Sequence, residues 1–314
     1  MPQKEIAMKK RYAYLCLGLL VSIAQMPFAL RAQQPVKGPK ILVVTAHPDD
    51  ETTFSVTLYK ITHDLNGTVD IALMTDASGG FNGSELGSVY YGIQLTDSVT
   101  GRARLPLIRK QELMNAGKIM GIRNFYFFDQ IDDFYNTDPV PYVTGKRWDT
   151  AYINKRLDKI LSEQQYDFVF TMLPEEGQHG HHKTAALMGL RAVLRYKGSK
   201  PPIILAGNTI DKNQAPPAFE ALKGFPETTI KKGAPFFYFN RSVKFGHRNL
   251  LSYKIIADWV INEYKTQGDL QENAMHKGDM DMFSYYDINP ASGIAAVQAL
   301  FDQLKNTGFS ATAK

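Results

Sequence analysis

Four of the seven histidines in this 314-residue chain fall into two short runs that also hold carboxylates or glycines. The first run is Ala46-His47-Pro48-Asp49-Asp50-Glu51, directly after the apolar stretch Ile41-Leu42-Val43-Val44. The second is His179-Gly180-His181-His182, which follows another strand-like stretch, Asp167–Met172. Imidazole and carboxylate side chains at the mouth of a strand suit a divalent ion such as zinc, with iron or cobalt as alternatives. Pro48 disfavours helical backbone at His47. Successive side chains of such a turn point in different directions, so one carboxylate can bind a metal while the other faces its water. The plainer reading makes Asp49 or Asp50 an N-cap for a helix starting near Glu51. His47 and the second run favour the metal. Three protein ligands leave zinc an open position, and the ion lowers the pKa of a bound water from ~15.7 toward ~7. The chemistry indicated is metal-dependent hydrolysis.

Other catalytic machinery is missing from the sequence. Cys16, the only cysteine, lies in the N-terminal segment, so a mature chain has no thiol nucleophile, disulfide or thiolate ligand. No Gly-x-Ser-x-Gly elbow or P-loop run occurs. His-Pro-Asp-Asp stands where a dinucleotide-binding Gly-x-Gly-x-x-Gly turn would follow the first strand.

Strand and helix patterns alternate through the region that positions these runs. Residues 33–40 form a polar linker. Strands are expected at Ile41–Thr45, Val69–Met74, Asn124–Phe128 and Asp167–Met172, and helices at Glu51–His63, Arg104–Met120, Ala151–Gln164 and His182–Tyr196. Residues 76–103 read as a long irregular, glycine-rich loop, with a second irregular stretch at 130–148. Such alternation predicts an α/β fold, a mostly parallel sheet with helices on both faces. Ligands in such sheets bind outside the carboxyl ends of the strands, which is where both histidine runs fall. Past about residue 200 the pattern weakens to strands at Ile203–Ala206 and Phe236–Phe239 and helices at Leu251–Tyr264 and Gly293–Lys305. This reads as an extension of one domain over 41–314.

The formal charge of +5 is concentrated at the N-terminus. Lys4, Lys9, Lys10, Arg11 and Arg31 face only Glu5, and residues 33–314 carry 31 basic and 30 acidic side chains. The globular part has no overall charge excess to attract nucleic acid. Lys9-Lys10-Arg11 before the uncharged run Tyr12–Leu30 reads as a signal peptide over residues 1–32, started at Met1 or Met8 and cleaved near Ala32. An exported protein, periplasmic or extracellular, is expected. The alternative is a membrane anchor formed by residues 12–30.

The histidine runs carry a resemblance. The chain resembles the PIG-L/LmbE family of zinc-dependent N-acetylglucosamine deacetylases, which has Ala-His-Pro-Asp-Asp-Glu after its first strand and His-Pro-Asp-His later. The first motif is intact at residues 46–51. The second keeps both outer histidines, with Gly180-His181 in place of Pro-Asp. Arg109-Lys110-Gln111-Glu112, with Ala116 and Met120-Gly121, is similar to the family's Arg-x-x-Glu helix. The matches span about residues 40–200. The resemblance implies a three-layer, Rossmann-like fold and one zinc per chain. It implies His47, Asp50 and His182 as the zinc ligands, with His181 as an alternative third ligand or a group behind the ligands. It implies Asp49 as general base and His179 as charged partner of the oxyanion or acid to the leaving amine. Arg109 and Asp129 are implied as contacts to an N-acetylated amino sugar or glycoconjugate.

Plainer roles exist for several residues. Arg109 and Glu112 can form a surface pair, and Asp132-Asp133 a solvated loop. His63, His247 and His276 lack ligand spacing. Lys254 and Gln267 are only distantly similar to C-terminal family positions. Tyr90-Tyr91, Phe134-Tyr135 and Phe236–Phe239 serve either as packing or as platforms for sugar rings. Two other functions compete: a zinc hydrolase of a different amide or an ester, and a non-catalytic glycan- or nucleotide-binding module.

Overall fold

The computed structural model describes residues 38–274 and 278–308. The signal-peptide and anchor assignments, most of the linker, and His276 lie outside the described residues. Among the described residues no helix is long and apolar enough to cross a membrane.

The strands are β1 (Lys40–Thr45), β2 (Thr68–Thr75), β3 (Asn124–Gln130), β4 (Phe168–Met172), β5 (Ile203–Ile210), β6 (Phe237–Asn240), β7 (Lys244–Phe245), β8 (Leu251–Ser252) and β9 (Met280–Tyr285). Seven of them form one sheet in the order β3-β2-β1-β4-β5-β9-β6, while β7 and β8 pair separately. Pairing is parallel from β3 to β5, and β9 lies antiparallel between β5 and β6. Val43 pairs with Ile71 on one side and Phe170 on the other. Between β1 and β4 the order of the strands reverses, which opens a crevice at their carboxyl ends.

The helices are α1 (Ser55–His63), α2 (Glu85–Tyr91), α3 (Ser98–Met120), α4 (Val140–Val143), α5 (Thr150–Gln164), α6 (Gly180–Arg195), α7 (Lys254–Ile261), α8 (Gly268–Ala274) and α9 (Gly293–Asn306). Ile41 and Val43 of β1 pack in one core with Leu58 of α1, Leu113 of α3, Val260 of α7 and Phe301 of α9. Leu42 and Val44 point the other way, into a core with Leu157 of α5 and Leu190 of α6. This is the expected α/β architecture with helices on both faces. It explains why β1 is an unbroken apolar run, since a strand covered on both sides has no solvent face.

Three segments depart from the sequence reading. Residues 76–103 contain α2 and the first turns of α3. Asp97 caps α3 by accepting from Thr100 N at 2.8 Å, so the helix starts ahead of Pro106 and runs through it. The segment Leu251–Tyr264 is helical only at Lys254–Ile261. The strand β9 was missed because Asp281 interrupts its apolar pattern. Its carboxylate accepts from Thr57 N and Oγ1 at 2.8 and 2.6 Å and pairs with the fully buried Arg241.

Candidate metal and catalytic site

The first histidine run leaves β1 and the second opens α6 after β4, so both stand at the crevice where strand order reverses. Ala46 N and His47 N donate to Asp50 Oδ2 at 2.8 and 2.9 Å, which leaves Oδ1 turned to the rings. His47 Nδ1 lies 2.9 Å from His182 Nε2 and 3.8 Å from Asp50 Oδ1, and His182 Nε2 lies 3.1 Å from the same oxygen. Four tetrahedral donors around zinc at ~2.0–2.1 Å stand about 3.3 Å apart. The three observed separations bracket that value, so the donor set fits such an ion. Burial opposes charge on His47, yet Asp132 and Asp50 outweigh it and raise its pKa to about 10. Burial also opposes ionisation of Asp50, but the His182 and His47 rings hold its carboxyl well below the usual range. Buried carboxylates therefore call for positive charge at this point.

Asp49 sits beside the tripod with φ 119°, a conformation rare outside glycine. Its N–H donates to Glu51 Oε2 at 3.2 Å, and Glu51 Oε1 accepts from the Tyr264 hydroxyl. Burial raises the Asp49 pKa to about 6 against the opposing pull of Arg109. A carboxylate poised there is ionised at neutral pH and still basic enough to take a proton.

Arg109 is buried rather than part of a surface pair. Its Nη2 donates to Pro48 O at 3.2 Å and stands 3.5 Å from Asp49 Oδ2. Its Nη1 reaches Gly79 O at 3.2 Å and Asp132 Oδ2 at 3.4 Å, while its Nε has no partner. Glu112 is also buried and accepts from Thr266 N at 3.1 Å and from Thr266 Oγ1, tying α3 to the chain that carries Gln267.

His179 caps α6: its Nδ1 accepts from His181 N at 3.1 Å, so the neutral ring carries its proton on Nε2. Burial and the neighbouring histidines push its pKa down to about 3. The resting ring is therefore a neutral N–H donor. His181 is wholly buried behind His47, with its Nδ1 3.1 Å from His47 Nε2. A second close set, His47, His179 and His181, shares His47 with the first.

A cleft of about 600 Å³ joins His47, Asp49, Asp50, His179, His182 and Arg109. Asp129 is absent from its lining; its side chain is 58% exposed and pairs with Lys110. Asp132 and Asp133 line the cleft and are buried, where a solvated loop was expected. Phe134 and Tyr135 stand at its rim, 70% and 65% exposed. Gln178 and Gln267 also line it, and Gln178 Oε1 is buried without a partner. Sequence reasoning missed Gln178 as a site residue, although its place beside His179 was a cue. A larger groove of about 1110 Å³ runs past Trp259 and holds none of the histidines, so volume alone does not mark the chemistry.

A family model described as PIG-L, GlcNAc-PI de-N-acetylase, matches residues 42–193. A curated relative from Bacillus cereus, named probable N-acetyl-alpha-D-glucosaminyl L-malate deacetylase 2, is 28% identical over 187 residues, covering 60% of this chain and 73% of its own. The solved N,N'-diacetylchitobiose deacetylase from Pyrococcus horikoshii is 19% identical with a TM-score of 0.39, over 62% of this chain and 68% of that one. The solved 4-carboxy-2-hydroxymuconate hydratase GalB of Pseudomonas putida KT2440 is 15% identical with a TM-score of 0.49, over 80% and 97%.

Proposed function

We propose, from the premise that through residues 42–193 the chain belongs to the PIG-L family, that it removes the acetyl group from an N-acetylglucosamine-containing sugar or conjugate. The family and the histidine–aspartate site support a zinc-dependent deacetylase activity on an acetylated substrate. The observation that carries the reading is the tripod of His47 Nδ1, Asp50 Oδ1 and His182 Nε2 in one cleft with Asp49. We assign one zinc per chain to those three donors. When bound, zinc supplies a Lewis acid and an acidified water.

The remaining work falls to side chains. Asp49, held by Arg109, takes the proton of the water that attacks the acyl carbon. His179 donates its Nε2–H to the acyl oxygen as negative charge develops there, a contact worth about 3–4 kcal/mol in such sites. The C–N bond breaks, the nitrogen leaves with the proton that Asp49 took from the water, and the products are an amine and acetate. The rim rings of Phe134 and Tyr135 offer faces for a sugar ring. Arg109 acts through Asp49 and the Pro48 turn, and Asp129 is left without a substrate role. The sheet shared by β1 through β6 and β9 supports one catalytic domain over 41–314. The basic and apolar N-terminal residues support export.

The experiment is acetate release from N-acetylglucosaminyl conjugates and chito-oligosaccharides by zinc-loaded protein, with N-acyl amides that lack a sugar and simple esters as comparison. Acetate from the sugar substrates alone is expected. Turnover confined to the other amides or esters refutes the sugar assignment, and no turnover with zinc bound refutes the deacetylase.

A further inference from the structure

The centre of the second histidine run, Gly180-His181, places an imidazole directly behind His47. Gly180 N donates to Asn136 O at 2.7 Å, and a Cβ on Gly180 would lie 2.5 Å from Asp138 O. The loop between β3 and α4 is thus pressed against the start of α6. That loop carries Asp132 and Asp133 to the His181 ring.

His181 lies in a box of rings, 4.4 Å from Tyr142 edge-on and 5.3 Å from Trp148 between centroids. Its Nε2 stands 3.1 Å from Asp133 Oδ1. That carboxylate also accepts from Tyr142 OH at 2.6 Å and from Arg147 Nε at 2.9 Å. A carboxylate with donors on its other sides takes a proton from the ring, so His181 Nε2 is the N–H and His181 Nδ1 is an acceptor. The only ring nitrogen at hydrogen-bond distance from that acceptor among the described residues is His47 Nε2, at 3.1 Å.

We infer that His181, oriented by Asp133, is a positioning residue that holds His47 with its proton on Nε2 and its Nδ1 lone pair in the tripod. The inference rests on the metal reading above. Ligating histidines generally donate their second N–H to an oriented acceptor, and loss of that acceptor costs ~10–100-fold in metal affinity. Here a histidine relays the carboxylate, so the anion stands one imidazole further back. Asp132 Oδ1 flanks the contact at 3.4 Å from His47 Nε2 and 3.6 Å from His181 Nδ1, but its other oxygen is shared with Arg109.

The test uses the full chain and zinc binding measured by competition with a fluorescent chelator. His181→Phe keeps a flat ring in the Tyr142–Trp148 box and removes both nitrogens. Zinc affinity is expected to fall ~10–100-fold. His181→Asn keeps an acceptor near the Nδ1 position and is expected to stay within about threefold of the parent. Wild-type affinity in a folded His181→Phe protein overturns the inference, because Asp132 alone then holds His47. Nitrogen NMR of the zinc-loaded parent needs no variant. It should show His47 and His181 each protonated on Nε2, with a coupling across the N–H···N contact. A proton on His181 Nδ1, or two zinc ions per chain with His181 as a ligand, overturns it. These readouts are independent of turnover. A parent that binds zinc through this relay and releases no acetate refutes the proposed function and leaves the relay standing.

Discussion

Replacing Arg109 by Met keeps an unbranched stem of similar course and removes the guanidinium end with its charge and its donors. Pro48 O and Gly79 O would each lose a donor at 3.2 Å, and the Asp132 carboxylate one at 3.4 Å, all in buried surroundings. Leaving such acceptors unpaired costs about 1–3 kcal/mol each, and breaking a buried charge pair costs about 3–5 kcal/mol overall. At about 2–4 °C per kcal/mol for a chain of this size, melting should fall by roughly 6–20 °C. The second effect is on Asp49. Arg109 is the strongest influence keeping its pKa from rising beyond about 6, so removing it moves that pKa upward. The base is the ionised form, present above the pKa and lost as pH falls through it. The acid limb of kcat/KM should therefore shift to higher pH, and rate at pH 7 should drop by up to about tenfold for each pH unit of movement. The assays are thermal melting and acetate release by zinc-loaded protein between pH 5 and 9. An unmoved acid limb in a folded variant refutes the coupling of Arg109 to Asp49. An unchanged melting temperature refutes the account of its buried contacts.

Asp49→Asn should lower kcat by about 10²–10⁴ with zinc content unchanged, since it removes a base and no ligand; loss of zinc in that variant contradicts the division of roles. His182→Ala removes one of the three donors proposed for zinc and should weaken zinc binding by more than about 100-fold, beyond the loss typical for a supporting residue, as read by metal analysis after dialysis. Asp281→Ala leaves Arg241 charged and wholly buried and strips Thr57 of its acceptor. Denaturant melts should show a loss of about 3–5 kcal/mol, and a loss below about 1 kcal/mol contradicts the buried-pair reading.

The motif residues were legible because they sit next to unmistakable strands. An apolar run such as Ile41–Val44 announces a strand buried on both faces, and whatever follows it stands at the crevice rim. The side chains of His47, Asp50 and His182, grouped by the family resemblance, lie 2.9, 3.8 and 3.1 Å apart at that rim. The strand β9 was hidden because a buried ion pair put Asp281 among its apolar residues. The true start of α3 was hidden because residues 76–103 read as a glycine-rich loop, whereas the Asp97 cap begins the helix at Ser98.

The sequence by itself determined which side chains stand at the strand ends, because residue type and strand position are local properties. Only the tertiary structure decided what surrounds that chemistry. Asp129 and Asp132 differ by three positions, yet one faces solvent and the other lies buried between Arg109 and His181. Gln267 reaches the cleft from beyond residue 260, along a segment tied down through Thr266 and Glu112. The periodicity of an irregular loop carries no record of which side chains turn inward. That choice is made by partners remote in the chain, and burial of a charge is tolerated only where those partners stand.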